Sequence, residues 1–127
     1  MMVARAAFAL VLLAASLTGF AQSSAWPSRP VRIVVPFAAG GNTDSIARLA
    51  AEHFSKAFNQ TFVVENRAGA NGTIGADAVA KAAPDGLTLL VAAVAQIVVV
   101  PQMGKVPYDP RRDFTPISNI GTNPFVL

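Results

Sequence analysis

Val31-Arg32-Ile33-Val34-Val35-Pro36-Phe37-Ala38-Ala39-Gly40-Gly41-Asn42-Thr43-Asp44 is the stretch that decides the fold. Its first five residues are a short, mostly β-branched run stopped by Pro36, which reads as a buried strand. Ala38-Ala39-Gly40-Gly41 then turns the chain. Asn42, Thr43 and Asp44 offer N-cap candidates, with an acidic residue in the first turn of a helix. Beyond them Ile46, Leu49, Ala50, Phe54 and Ala57 recur at helical spacing, giving one apolar face on a helix that ends near Phe58. Asn59-Gln60 turns the chain again.

The pattern then repeats in kind. Phe62-Val63-Val64-Glu65 reads as a second strand and residues 66–75 as a second glycine-bearing loop. An alanine-rich helix over roughly 73–83 follows, closed by Pro84-Asp85-Gly86. Residues 87–92 read as a third strand, apolar enough to be covered on both faces, as parallel strands are. Strands alternating with helices imply right-handed βαβ crossovers and an α/β fold with a parallel sheet. Residues 95–100 carry four β-branched residues in succession, yet their place in the alternation favours a short helical turn over a strand. Residues 101–116, with Pro101, Pro107, Pro110 and Pro116, read as an irregular surface connection. Ile117–Ile120 and Phe125–Leu127 look like two further strand pieces.

With 127 residues, the chain holds one domain or part of one. It has no cysteine and a single histidine, His53, which excludes a disulfide framework, a thiolate zinc site, a cysteine nucleophile and an HExxH pair. The apolar excess concentrates in residues 1–21: Arg5, an apolar stretch from Ala6 to Leu17, and small residues Gly19 and Ala21 before a cut. This is the pattern of a secretory signal peptide cleaved after Ala21, with Ala25 as the alternative site. The apolar core is too short for a membrane span, so the expectation is an exported chain with no stable membrane insertion. The net charge is +3, or +2 once Arg5 is removed. The basic residues are scattered singly apart from Arg111-Arg112, which argues against nucleic-acid binding.

Both glycine loops lie between the end of a strand and the start of a helix, the edge of a parallel sheet where ligands bind. Free N–H groups and the helix dipole there suit an anion, and glycine lets it approach the main chain. A carboxylate, phosphate or sulfate is the expected ligand group. The alternative is that Gly40-Gly41 only turns the chain and Asn42, Thr43 and Asp44 only cap the helix. Gly69, Gly72 and Gly75 fail the dinucleotide GxGxxG spacing because Asn71 stands at the second glycine's position, and no GxxxxGK[ST] loop occurs. His53 sits at the margin of an apolar helix face, and Ser45 and Ser118 lack a GxSxG context. Neither a catalytic set, a metal site nor a cofactor is expected. Tyr108-Asp109-Pro110 reads as a turn with an anchoring aromatic.

Five ordered strings carry a resemblance: Trp26 to Pro30, Val34 to Asp44, Val64 to Gly75, Lys81 to Gly86, and Pro107 to Phe114. Together they resemble the N-terminal part of the Bug (TctC-like) family of tripartite tricarboxylate transporter substrate-binding receptors, over essentially all of residues 26–127. The resemblance implies a two-lobed periplasmic binding protein of the flytrap kind, which closes on a small carboxylate and can deliver it to transporter membrane subunits. It implies no enzymatic activity. Residues 22–127 then form the N-terminal part of the first lobe, with the second lobe absent from the chain. The family's first ligand loop matches Pro36 to Asp44 and its second matches Asn66 to Gly75. The implied ligand-binding residues are Phe37, Gly40, Gly41, Asn42, Thr43 and Asp44, then Asn71, Gly72 and Thr73. After the third strand the family shows small hydroxyl residues, whereas this chain has Ala92-Ala93-Val94-Ala95-Gln96, leaving Gln96 as the side chain that could hydrogen-bond a ligand. Val100 also replaces the usual Asn before Pro101. The competing reading is a truncated remnant or interaction protein without a high-affinity ligand.

Overall fold

The computed structural model describes residues 26–122. Strands β1 (Val31–Val35), β2 (Phe62–Asn66) and β3 (Thr88–Leu90) form one parallel sheet in the order β2-β1-β3. Helix α1 (Asn42–Phe58) connects β1 to β2. A 3-10 turn at Ala70–Gly72 and helix α2 (Thr73–Ala80) connect β2 to β3. After β3 a widened turn, Ala95–Val99, runs into a short helix α3 (Val100–Met103). The α/β architecture with parallel strands is the one the sequence pattern implies.

Because β1 is central, it is covered on both faces. Val31, Ile33 and Val35 point one way and pack with Ala47 and Ala51 of α1, together with Phe62 and Leu87. Val34 is as deeply buried but points to the other face, and α2, with its buried Ala76, packs against β1 and β3. The chain steps from β1 to β2 in one direction and from β2 past β1 to β3 in the other. Right-handed crossovers therefore put α1 and α2 on opposite faces. The reversal makes β1/β3 a topological switch point, the place in an open parallel sheet where diverging loops form a ligand crevice at the strands' C-terminal ends.

Register fixes which loops meet there. Val31 pairs with Phe62 and Val35 with Asn66, while Arg32 pairs with Thr88 and Val34 with Leu90. One bond beyond each strand continues the pairing: Arg67 N–H donates to the Val35 carbonyl and Val91 N–H to the Val34 carbonyl. At the opposite pole, by the strands' N-terminal ends, Trp26 meets Phe58 edge-on at 5.3 Å, and Phe54, Phe58 and Phe62 cluster behind it.

Four boundaries differ from the sequence reading. Helix α2 ends at Ala80, where Lys81 turns its N–H back to the Asp77 carbonyl, three residues short of the expected end. Strand β3 pairs over three residues, because beyond Val91 the chain leaves the sheet toward Gln96. The helical turn expected at residues 95–100 forms and continues through Pro101 to Met103. The Val100 N–H reaches back five residues to the Ala95 carbonyl, and this wide turn relieves the clash that a proline ring makes with the preceding turn. Ile117–Ile120 is not a strand: Asn119 Oδ1 accepts the Gly121 N–H in a local turn that competes with pairing. The expected signal peptide (1–21) and the strand piece Phe125–Leu127 lie outside the described residues. Among the described residues no helix is long and apolar enough to cross a membrane.

Candidate functional site

The first loop leaves β1 at Pro36, which is buried, and Phe37, which is half-buried against the core. Gly40 takes φ +86°, a conformation open to glycine without strain. Gly41, not Asn42 or Thr43, is the N-cap of α1; its backbone is extended and no side chain caps the helix. The first intrahelical bond runs from Ser45 N–H to the Gly41 carbonyl. Helix geometry therefore leaves the N–H groups of Asn42, Thr43 and Asp44 without an intrahelical partner. Gly40, Gly41 and Asn42 are exposed and Thr43 is half-buried.

Asp44 sits behind this loop, 3% exposed. One carboxylate oxygen accepts the Gly40 N–H at 2.8 Å and Arg48 Nε at 2.9 Å. The other accepts Asn66 Nδ2 at 2.9 Å. The Arg48 hydrogen bond, then the Gly40 and Asn66 donors, hold this carboxyl down to about 2. Asn66, the last residue of β2, also donates to the Phe37 carbonyl at 3.1 Å and accepts from Arg48 Nη2 at 3.1 Å. Its side-chain donors and acceptor thus tie the first loop to the start of the second. Sequence reading missed Arg48 and Asn66. Arg48 was detectable as a cation four residues after Asp44 on one helix face, whereas Asn66 reaches Asp44 through a register that no local pattern encodes.

The second loop is held by its own backbone. Gly69, Ala70, Asn71 and Gly72 all have positive φ, at +129°, +46°, +54° and +87°. Gly72 N–H donates to the Gly69 carbonyl and Thr73 N–H to the Ala70 carbonyl. Those two N–H groups are therefore already used, and Asn71 is exposed along with Ala68, Gly69 and Ala70.

Gln96 joins the second loop to the third. It is 0% exposed; Nε2 donates to the Asn71 carbonyl at 3.0 Å and Oε1 accepts the Ala93 N–H at 3.1 Å. Gly72 is the neighbour that makes room, since a Cβ there would come within 2.7 Å of Gln96 Cγ. Tyr108, read from the sequence as the anchoring aromatic of a turn, is buried and donates its hydroxyl to the Gln96 carbonyl at 2.8 Å. Burial pushes its phenol above the ordinary value.

The fold thus brings Phe37 and Asp44 into one network, and Asn71, Gly72 and Gln96 into another. Gly75 brings the first two loops into contact, because a Cβ there would lie 2.9 Å from both Pro36 Cα and the Arg67 carbonyl oxygen. His53 lies away from these loops, on an apolar groove of about 400 Å³ along α1 that Ile46, Leu49, Ala50, Phe54 and Ile120 also line. Among the described residues no cluster of three or more His, Cys, Asp or Glu could hold a metal. The edge offers main-chain donors at a helix N-terminus, at the C-terminal ends of the parallel strands, which suits binding an anionic group.

A family described as "Tripartite tricarboxylate transporter family receptor" matches residues 46–127. A UPF0065 protein of Bordetella bronchiseptica is 48% identical over 118 residues, covering 92% of this chain and 35% of that protein. The structure of a periplasmic transporter is 49% identical with a TM-score of 0.65, covering 68% of this chain and 29% of its own. MatC from Rhodopseudomonas palustris, solved with bound malate, is 46% identical with a TM-score of 0.67, covering 72% of this chain and 31% of its own. The chain spans about a third of the length of the curated relatives it matches.

Proposed function

This chain belongs to the tripartite tricarboxylate transporter receptor family, and from that membership we propose that it is the first-lobe portion of a periplasmic receptor for a small carboxylate. Residues 1–21 direct export and are removed, and the receptor presents its ligand to the membrane subunits of a transporter. Binding is the whole of its chemistry. The observation that carries the reading is the bare N-terminus of α1 at the switch point. Three N–H groups without intrahelical partners stand beside Gly40 and Gly41, with Asp44 held behind them by Arg48 and Asn66.

A ligand carboxylate accepts hydrogen bonds from the main chain at Gly41 to Thr43, with Phe37 beneath it and Asn71 across from it. The helix terminus contributes roughly 0.3–1 kcal/mol if open and ~2 kcal/mol if partly buried. Asp44, Gly72 and Gln96 act from behind, by fixing the loops. The malate bound to the MatC relative is an acid of the size this reading requires.

Gly41→Val tests it. A Cβ at this position meets only the Ala38 carbonyl oxygen, at 3.7 Å, and its φ of −79° suits any residue. The variant should fold as the parent does while its branched side chain keeps a carboxylate off the main chain. In isothermal titration with malate, succinate and tricarballylate, the parent should bind at least one acid and the variant none. Unchanged affinity in the variant would remove the loop from the site.

A further inference from the structure

The crevice has one wall that differs in chemistry from the others. Because the sheet order reverses between β1 and β3, the loop after β3 borders the switch point directly. That loop, Val91-Ala92-Ala93-Val94-Ala95, carries no polar side chain. Val94 is 65% exposed, and the loop's next residue, Gln96, is fully buried. Both ends of the Gln96 amide are engaged, one by the Asn71 carbonyl and the other by the Ala93 N–H. The Ala93 carbonyl also accepts the Gln96 N–H, at 3.3 Å. Gln96, the polar side chain that follows this loop, is therefore used internally, and so is the backbone at Ala93.

We propose that this third loop makes the receptor selective for carboxylic acids whose carbon skeleton lacks a hydroxyl, because the side chains of Ala92, Ala93 and Val94 offer apolar contact and no hydrogen-bonding group to a ligand hydroxyl. The inference rests on the carboxylate-receptor reading and narrows its ligand class. A hydroxyl seated against these side chains gives up hydrogen bonds to water and receives none from them in return. Gln96 does not rescue it, because turning its amide toward the crevice would free the Asn71 carbonyl and the Ala93 N–H together.

Matched acids that differ by one hydroxyl provide the test: succinate against malate, tricarballylate against citrate, and adipate against 3-hydroxyadipate. Each is titrated calorimetrically into the exported protein. Whichever skeleton binds, its deoxy member should bind roughly 10- to 100-fold tighter, the range in which an apolar pocket discriminates against an added hydroxyl. Val94→Thr, nearly isosteric and exposed, places a hydroxyl on the wall and should reduce that ratio at least about threefold without altering the melting temperature. Equal or tighter binding of the hydroxy acid in the parent, or an unchanged ratio in the variant, overturns the selectivity while leaving the receptor reading intact. Absence of binding across all six acids overturns the receptor reading itself.

Discussion

Asp44 shows how a residue at the edge of a site acts without facing the ligand. Its carboxylate lies under Gly40, accepting from Arg48, the Gly40 N–H and Asn66, which lower its pKa from 3.8 to about 2. A carboxyl whose folded pKa lies below its unfolded value stabilises the fold above the unfolded pKa. That contribution is lost as the pH falls through the folded one. The window here is about pH 4 down to about pH 2. Asp44→Asn keeps the shape but removes the charge, so it should be less stable than the parent at pH 7 and should lose less over this window. Urea midpoints at pH 7, 4 and 2.5 measure the difference. Glu52, Glu65 and Asp85 are also held low by their partners, but they titrate alike in both proteins and drop out of the comparison. Parallel pH profiles would mean that the Arg48–Asp44–Asn66 network does not stabilise the ionised carboxylate.

At the scale of elements, α1 leaves its N-terminus uncapped, and a bare N-terminus trades stability for anion binding. Asn, Asp or Ser at the N-cap is worth more than Gly by about a few tenths of a kcal/mol, and the helix dipole favours an acidic group there. Gly41→Asp should therefore raise the melting temperature by up to a few degrees while lowering carboxylate affinity at least about tenfold, since a built-in carboxylate competes for the same N–H groups. Differential scanning fluorimetry and calorimetric titration on one preparation separate the two effects. A variant that loses stability would show that the terminus is not short of an acceptor. The same element shows what a sequence makes legible. Helix α1 was readable to its last residue because apolar spacing, the glycines before it and Asn59 in the left-handed conformation after it all agree. Strands β1 and β2 were readable for a similar reason, each being a β-branched run with a stop. What stayed hidden depends on contacts between distant segments. Gln96 was legible as the polar residue after β3, but its burial between Asn71 and Ala93 depends on two loops meeting. The helix running through Pro101 depends on the wide turn before it, and Ile117–Ile120 has β-prone residues yet settles into a local turn.

For the whole molecule, the parallel sheet separates two poles. At the N-terminal ends of the strands, Trp26 rests near Gly86, where a Cβ would lie 3.1 Å from its indole nitrogen, and it closes the aromatic cluster with Phe58. At the C-terminal ends lie the three loops. Strands of about 3.3 Å rise per residue put roughly 15 Å between the poles. Trp26 is the chain's single tryptophan, so its emission reports on the pole away from the proposed site. A carboxylate that binds at Gly40 to Thr43 and Asn71 should raise the melting temperature by mass action, with ~2.7 kcal/mol of stabilisation at one hundred times Kd. The tryptophan emission maximum should stay where it is, because no ligand atom comes near the indole and β1, the central strand between the poles, is already buried. Emission spectra and melting curves recorded across one ligand titration of this chain test both statements together. Stabilisation with a constant emission maximum supports binding at the loops. Stabilisation accompanied by a shift in emission would place the ligand among Trp26, Phe54, Phe58 and Phe62, and would move the site to the opposite end of the sheet.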